Sequence, residues 1–307
     1  MPKYILSILA AGTMSGGIFL LVASLGLGFY FMFISTLPLL ALGLGRDPKM
    51  ALGAGAVASL IVAVIADSPV LGIMFLLFLG LPSWTIASQA LSCRPDRSGT
   101  AIWFPIGTIM LRLTVYGVSA VALLTAYYAF SDETIVAMLA RLIHEAFADL
   151  QKDFGDVIEI LATQWSFLIF SMTIWLWGVA LYAHGWLANR LLKNNNRQIR
   201  PDFAVTPFTI PSWMLTLLAI CALASLIGGE SLRFLGKTTL ISLMLPYFFL
   251  GASLMHESSK TWPSRRFFLF FIYLSMFVQF WPALILSGVG LWHQIKHLSA
   301  PTASSRN

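Results

Sequence analysis

The longest stretch of the chain without a charged side chain lies close to its N-terminus. Between Lys3 and Arg46 there are 42 residues, and none of them is Asp, Glu, Lys or Arg. A helix needs about 20 apolar residues to cross the hydrocarbon core of a bilayer. The run is therefore long enough for two spans, and Gly26 and Gly28 indicate the turn between them. We predict that this segment is a helical hairpin inside a membrane.

The composition of the whole chain leads to the same class of protein. Of its 307 residues 58% are hydrophobic and 10% are charged, and the mean hydropathy is +0.82. Soluble domains carry about 25% charged residues, and a soluble core could not bury this much apolar surface. The predicted fold is all-α, a polytopic transmembrane helical bundle of eight or nine spans. The nine candidate spans are 5–25, 28–45, 50–66, 69–90, 102–129, 161–188, 208–227, 238–255 and 267–290.

The distribution of Lys and Arg over the loops predicts the orientation. With the N-terminus in the cytoplasm, 12 of the 19 basic residues fall in loops on that side. Cytoplasmic loops carry such an excess in most membrane proteins, where anionic lipids also attract them. This explains the net charge of +6 without nucleic acid, which we do not expect as a partner. An eight-span arrangement with the C-terminal tail also inside stays open.

A polar, basic segment interrupts the apolar pattern at residues 193–207, which read KNNNRQIRPDFAVTP. We interpret it as a cytoplasmic linker. It divides a six-span N-terminal bundle, residues 1–192, from a three-span C-terminal part, residues 208–292. Residues 293–307 are predicted to be a flexible tail.

The N-terminal bundle includes a long polar segment, residues 131–160, which is predicted to be an amphipathic helix outside the membrane. Its charges are seven acidic residues against two basic ones. The apolar face consists of Leu139, Ile143, Phe147, Leu150, Phe154 and Val157. Two interpretations stay open. The helix is a lid or an acidic surface that gathers cations, or it lies on the bilayer with a solvated face, which is the commoner arrangement.

One charged residue, Arg112, falls inside a predicted span. Helical periodicity places Thr108, Tyr116 and Ser119 on the same face. An arginine at the centre of a bilayer costs at least about 2.5 kcal/mol, so we expect it to face the bundle interior or a wet cavity. We therefore predict that these four residues line a substrate-binding pocket. The alternative is a structural arginine that pairs within the bundle or extends to the headgroups.

Small residues recur at every fourth position of the third span. The set is Ala51, Gly55, Ser59 and Ala63, which we call the small-residue seam. Such spacing lets a second helix approach closely. The seam predicts either packing within the bundle or docking of a partner membrane protein.

Motifs for enzyme chemistry are missing from the sequence. The five histidines form no HExxH motif, and the chain has neither a Walker phosphate-binding loop nor a GxSxG nucleophile motif. We therefore expect no catalytic residues, no metal site and no cofactor, and we predict that the protein is not an enzyme.

The sequence TLPLLALGLGRDPKMALGAG, residues 36–55, carries a family resemblance. Its pattern of Pro38, Gly43, Gly45, Pro48, Gly53 and Gly55 resembles the substrate-binding S components of energy-coupling-factor vitamin transporters. Over its full length the chain is similar to the YybS-like bacterial membrane proteins, the domain of unknown function 2232 family. The resemblance implies an S-component-like fold for the first six spans and a location in the bacterial cytoplasmic membrane.

Two functions are expected from these observations. The first is a transport-type protein that binds or passes a small solute without its own ATPase, driven by an energising subunit or by a gradient. The second is a membrane assembly or scaffold factor that acts through partner membrane proteins. The lipid bilayer is a partner in both.

Overall fold

A computed structural model describes residues 2–26, 28–95, 99, 101–201, 203–204 and 206–299. The described part is almost entirely helical, which confirms the predicted all-α class. Its two strands, β1 (Cys93–Pro95) and β2 (Ala101–Trp103), form one short antiparallel hairpin. The chain makes two compact units, and each consists of two separate stretches of sequence.

Unit 1 comprises residues 1–110 and 176–206. Its helices are α1 (Pro2–Ser24), α2 (Thr36–Gly45), α3 (Pro48–Ile65), α4 (Pro69–Phe75), α5 (Leu81–Ala90), the start of α6 (Ile106–Ala129) and the later part of α9 (Phe167–Asn194). A 3-10 helix at Phe29–Ser35 precedes α2, and a π-helical turn at Leu76–Gly80 joins α4 to α5.

Unit 2 comprises residues 111–175 and 207–307. It contains the rest of α6 and α9, together with α7 (Ile135–Ala146), α8 (Gln151–Thr163), α10 (Trp213–Ile227), α11 (Glu230–Ser242), α12 (Met244–Ser258), α13 (Arg265–Val278) and α14 (Trp281–Ser299). Short 3-10 helices lie at Ala148–Leu150 and Ser259–Thr261.

Within the described residues, six helical segments are long and apolar enough to cross a membrane. They are Lys3–Ser24, Pro48–Ile65, Pro69–Ala90, Ile106–Ala129, Phe167–Asn194 and Glu230–Thr261. Each overlaps one of the nine predicted spans, although Glu230–Thr261 extends well beyond the predicted 238–255 at both ends. By the length and composition of these helices the chain is a multi-pass membrane protein.

The other three predicted spans differ from the observed helices. Two of them contain only shorter apolar helices, Phe31–Gly45 in the span predicted at 28–45 and Trp213–Ile227 in the span predicted at 208–227. The second helix begins late because Pro207 and Pro211 precede it. The segment predicted at 267–290 is a helix pair, Arg265–Met276 and Trp281–Leu298, which bends by 115°. If that pair is one span the count rises to seven, so the predicted eight or nine spans are not confirmed.

The two units do not coincide with the predicted parts of the chain, 1–192 and 208–292. The predicted linker, residues 193–207, begins as the last turn of α9, and its following residues belong to unit 1. Phe203 in this segment is buried, and its ring lies against Gly185 of α9. The predicted flexible tail, residues 293–307, is helical as far as Ser299, and the remainder lies outside the described residues.

The segment predicted as one amphipathic helix, residues 131–160, is a hairpin of α7 and α8. The backbone leaves the helical region at Phe147, where φ is −112°, and this separates the predicted apolar face into two parts. Leu139 and Ile143 are buried, and Ile143 packs with Ile158 and Ala162. The later face residues are exposed, namely Phe147, Leu150, Phe154 and Val157.

The small-residue seam lies on α3, which is packed on two sides within unit 1. A Cβ atom added to Gly55 would lie 3.1 Å from the Cα atom of Gly80. Ser59 Oγ donates a hydrogen bond of 2.7 Å to the carbonyl oxygen of Gly72. On the other side, Gly12 of α1 lies so close that an added Cβ would be 2.7 Å from Val57 Cβ. The seam therefore faces helices of its own chain.

One buried arginine joins three separate stretches of unit 1. Arg200 is 6% exposed, and its Nη1 donates hydrogen bonds of 2.8 Å to Ala90 O and 2.9 Å to Phe104 O. Its guanidinium also lies 5.9 Å from the ring centres of Trp103 and Phe203. Ala90 is the last residue of α5, where helix carbonyls lack partners within the helix. Arg200 thus closes the end of α5 and attaches the segment after α9 to it.

Unit 2 contains a very close helix contact between α12 and α14. A Cβ atom on Gly290 would lie 2.2 Å from the carbonyl oxygen of Tyr247, so only glycine fits there. Beside this contact, Tyr247 Oη donates a hydrogen bond of 2.6 Å to Gln294 Oε1. Gln294 Nε2 in turn donates to Ile210 O at 3.0 Å. The contact and this buried polar chain hold the start of α10 against α12 and α14.

Candidate functional site

The candidate site is an open cleft of about 600 Å³ in unit 2, which we call the α11 cleft. Its lining comes from α7, from the turn between α8 and α9, and from α11. The residues are Val136, Thr163, Gln164, Trp165, Ser166, Phe167, Glu230, Arg233, Phe234 and Lys237. A volume of this size is ordinary for a site that binds a small molecule.

Helix α11 supplies all the charges of the cleft. Arg233 and Lys237 are four residues apart and therefore share one face of the helix. Glu230 lies in the first turn of α11, where a carboxylate interacts favourably with the helix dipole. The three side chains sum to one positive charge. The cleft is thus suited to an anion that also brings a hydrogen-bond donor for Glu230.

The two cations are positioned by contacts with their surroundings. Arg233 Nη2 donates a hydrogen bond of 3.1 Å to Gly228 O, which precedes the helix. This uses one of the five donors of the guanidinium and leaves the others for a ligand. Lys237 Nζ lies 5.3 Å from the ring centre of Phe167, within the range of a cation–π interaction.

The opposite side of the cleft is a tight turn between α8 and α9. Trp165 and Phe167 stack with their ring centres 6.3 Å apart, and Ser166 between them is buried. Beneath the cleft Phe234 packs in a cluster with Val121, Ile135 and Ile174. Aromatic rings beside two cations can hold a small organic anion through both its charge and its apolar part.

The structure places the four residues of the predicted pocket on the surface of the chain. Arg112, Tyr116 and Ser119 are exposed and Thr108 is half-buried. None of them is among the described residues that line the α11 cleft. The substrate-binding role of these four residues stays a prediction.

The predicted spans 208–227 and 238–255 leave Arg233 and Lys237 in the loop between them, and no role was predicted for either residue. The spacing of Glu230, Arg233 and Lys237 was an available signal, because residues three and four apart meet on one helix face. The signal was missed because α11 begins well before the apolar run of the predicted span, residues 238–255. The contribution of the α8–α9 turn depends on tertiary packing and has no local pattern.

No metal centre is found within the described part of the chain, where no three His, Cys, Asp or Glu side chains are grouped closely enough to hold an ion.

The fold and the cleft define a multi-pass α-helical membrane protein with a basic, aromatic cleft in one of its two units. Comparisons of the chain with protein-family models, with curated proteins and with solved structures find no match.

Proposed function

We propose that the protein is a transport-type membrane protein that binds a small organic anion in the α11 cleft. The observation that carries the proposal is the pair Arg233 and Lys237 beside the stacked rings of Trp165 and Phe167. The cations would contact the carboxylate or phosphate of the solute, and the rings would contact its apolar part. Glu230 would accept a hydrogen bond from a hydroxyl or ammonium group.

The bent helix pair supports a transport function independently. Transporters often contain interrupted helices, because unwound backbone next to a water-filled cavity can bind a solute or an ion. The helix pair Arg265–Met276 and Trp281–Leu298 is interrupted in this way, with a bend of 115°. The scaffold alternative drew on the basic loops and on the small-residue seam, and helices of the same chain already pack against that seam. We therefore favour solute binding.

The membrane location, the orientation and the energy source are also part of the proposal. We infer that the N-terminus is inside, from the excess of basic residues in the corresponding loops. A location in the bacterial cytoplasmic membrane is proposed only on the family resemblance of the sequence. The chain lacks a phosphate-binding loop of the Walker type, so energy would come from a gradient or from an energising partner subunit. The S-component-like arrangement of the first six spans, which the sequence resemblance implies, is likewise a proposal.

Replacing both cations, Arg233→Gln with Lys237→Gln, should strongly weaken the binding of organic anions. The purified protein in neutral detergent is titrated with the anions acetate, lactate and succinate. Alanine serves as the zwitterionic reference, glucose as the neutral one and choline as the cationic one. We expect at least one anion to raise the unfolding temperature of the unmodified protein. The dependence of this shift on anion concentration gives an apparent affinity. In the double variant that affinity should be at least about tenfold lower, since charge-assisted hydrogen bonds are lost.

Two further variants make this result specific. Lys152→Gln removes an exposed lysine of the same unit that does not line the cleft, and it should bind like the unmodified protein. Arg112→Ala tests the pocket predicted from the sequence. If Arg112→Ala lost binding while the double variant kept it, the binding site would be on α6 and not in the α11 cleft. No response to any of the anions would refute solute binding at the α11 cleft.

The proposed orientation predicts opposite labelling of two exposed positions. Ser131 follows α6, Asn195 follows α9, and the 28 residues of α9 extend about 42 Å, enough to cross a bilayer. In a Cys93→Ser and Cys221→Ala background, Ser131→Cys should react with a membrane-impermeant maleimide in intact cells. Asn195→Cys should react only after permeabilisation. Equal reaction of both positions in intact cells would contradict the topology.

A further inference from the structure

A second cleft, in unit 1, lies at the end of α9, where the chain turns back after Asn194. We call it the α9 cleft, and its volume is about 350 Å³. The described residues that line it are Trp186, Asn189, Arg190, Lys193, Asn194, Gln198, Pro201 and Phe203. The returning segment is held in place by Phe203 against Gly185 and by a hydrogen bond of 2.8 Å from Gln198 Nε2 to Pro201 O.

The α9 cleft contains a buried polar atom without a partner. Asn189 is only 4% exposed, and its Oδ1 accepts no hydrogen bond from the described residues. Buried polar side-chain atoms are hydrogen-bonded in the large majority of cases, since leaving one unpaired forfeits its interaction with water. The oxygen can therefore accept a hydrogen bond from a bound ligand or from an ordered water. The same two sources can serve the other two unpartnered buried atoms of the described chain, Gln89 Oε1, which accepts, and Arg265 Nε, which donates.

The charges beside Asn189 are positive. Arg190 and Lys193 line the same cleft, and no described lining residue is acidic. The one carboxylate that the sequence places nearby, Asp202, lies outside the described residues. The end of α9 contributes the negative pole of the helix dipole, equivalent to about half a charge, which two full positive charges exceed. The cleft therefore favours an anion.

The surroundings of the cations suit the interface between membrane and water. Arg190 lies with its guanidinium 5.3 Å from the ring centre of Trp186, and Trp186 is exposed. Tryptophan is enriched at the depth of the lipid headgroups, and basic pockets at that depth bind phosphate headgroups. Arginine and lysine are the side chains that most often contact phosphate oxygens.

We propose that the α9 cleft binds a phosphate group that carries a neighbouring hydroxyl. Arg190 and Lys193 contact the phosphate oxygens, and the hydroxyl donates to Asn189 Oδ1. Two ligands have this chemistry, an anionic phospholipid with a glycerol headgroup and a soluble phosphate ester such as glycerol 3-phosphate. The site is in unit 1 and does not depend on the solute proposed for the α11 cleft.

The test uses the full chain, purified in neutral detergent and stripped of lipid. Short-chain phosphatidylglycerol, short-chain phosphatidylcholine and glycerol 3-phosphate are titrated separately, and bound ligand is counted by native mass spectrometry. We expect phosphatidylglycerol or glycerol 3-phosphate to bind, and Lys193→Gln to weaken that binding about fivefold or more. Lys49→Gln removes an exposed lysine of unit 1 outside the cleft and should have no effect.

Asn189→Leu tests whether the buried oxygen contributes to ligand binding in addition to the positive charges of Arg190 and Lys193. It should weaken the same ligand about fivefold while the unfolding temperature stays equal or rises, because an unpaired polar atom is removed. If this variant fails to fold, the exposed positions Arg190 and Lys193 still decide the question.

The two ligand arms separate the sources of the phosphate. Binding of phosphatidylglycerol but not of glycerol 3-phosphate assigns a lipid headgroup, and binding of glycerol 3-phosphate assigns a soluble ester. The proposal is overturned if neither ligand binds, if phosphatidylcholine binds equally well, or if Lys193→Gln leaves the affinity unchanged.

Discussion

Gly251→Ala should destabilise unit 2 strongly, although alanine is the better helix former. The new Cβ atom would lie 1.9 Å from Leu286 O and 2.8 Å from the carbonyl carbon of the same residue. Both atoms belong to the backbone of α14, so no side-chain movement can relieve the overlap. Forcing the helices apart costs about 1–3 kcal/mol or more, against a helix-propensity gain of about 1 kcal/mol. We expect the unfolding temperature in detergent to fall by about 5 °C or more.

The matched control is Gly288→Ala on α14 itself. An added Cβ at Gly288 meets no atom within 4 Å, so only the propensity gain remains. This variant should be as stable as the unmodified protein or more stable by about 0.5–1 kcal/mol. Gly290→Ala, in contrast, should resemble Gly251→Ala. Equal effects of Gly251→Ala and Gly288→Ala would show that α12 and α14 are not in this close contact.

Arg200→Met should loosen unit 1 by about 3 kcal/mol. Methionine keeps much of the apolar stem but removes the donors to Ala90 O and Phe104 O. A hydrogen bond from a charged group contributes about 1.5–3 kcal/mol, and the carbonyls would be left without this donor in a buried place. Hydrogen–deuterium exchange of residues 90–104 should therefore become faster, together with a lower unfolding temperature.

The nearby Arg197→Met provides the comparison, because Arg197 is exposed and three residues away. Its effect should stay within about 0.5 kcal/mol. Arg200→Lys should be intermediate, since an ammonium group keeps the charge and can donate to carbonyls but lacks the planar guanidinium that lies near the rings of Trp103 and Phe203. If Arg200→Met and Arg197→Met were equally mild, Arg200 would not hold the segment after α9.

The sequence predicts the membrane class and most of the spanning helices because both depend on local hydropathy. A charge-free apolar window such as residues 69–90 has the length and composition of one membrane-spanning helix. Hydropathy does not reveal where an apolar run stops being helical. The bent pair Arg265–Met276 and Trp281–Leu298 was therefore expected as one continuous span.

The candidate site was less accessible from the sequence. Arg112 is conspicuous because charged residues are rare in membrane spans, and the binding pocket was predicted on α6 for that reason. The α11 cleft instead combines Arg233 with Trp165, residues that are ordinary at their own positions and distant in sequence. Asn189 is likewise an unremarkable polar residue until its burial is known. Tertiary packing creates these sites, and a helical wheel contains no information about it.

The discontinuous composition of the two units has a consequence for synthesis at the ribosome. Unit 1 needs residues 176–206, and these emerge only after residues 111–175 of unit 2 have been made. At a translation rate of about 5–20 residues per second, the synthesis of residues 111–175 takes roughly 3–13 s, and during this time α1 to α5 lack the part of α9 that completes unit 1. During this interval the open side of the bundle must be covered by lipid or by the insertion machinery. Nascent chains arrested before residue 206 should therefore be more sensitive to protease than those arrested after it.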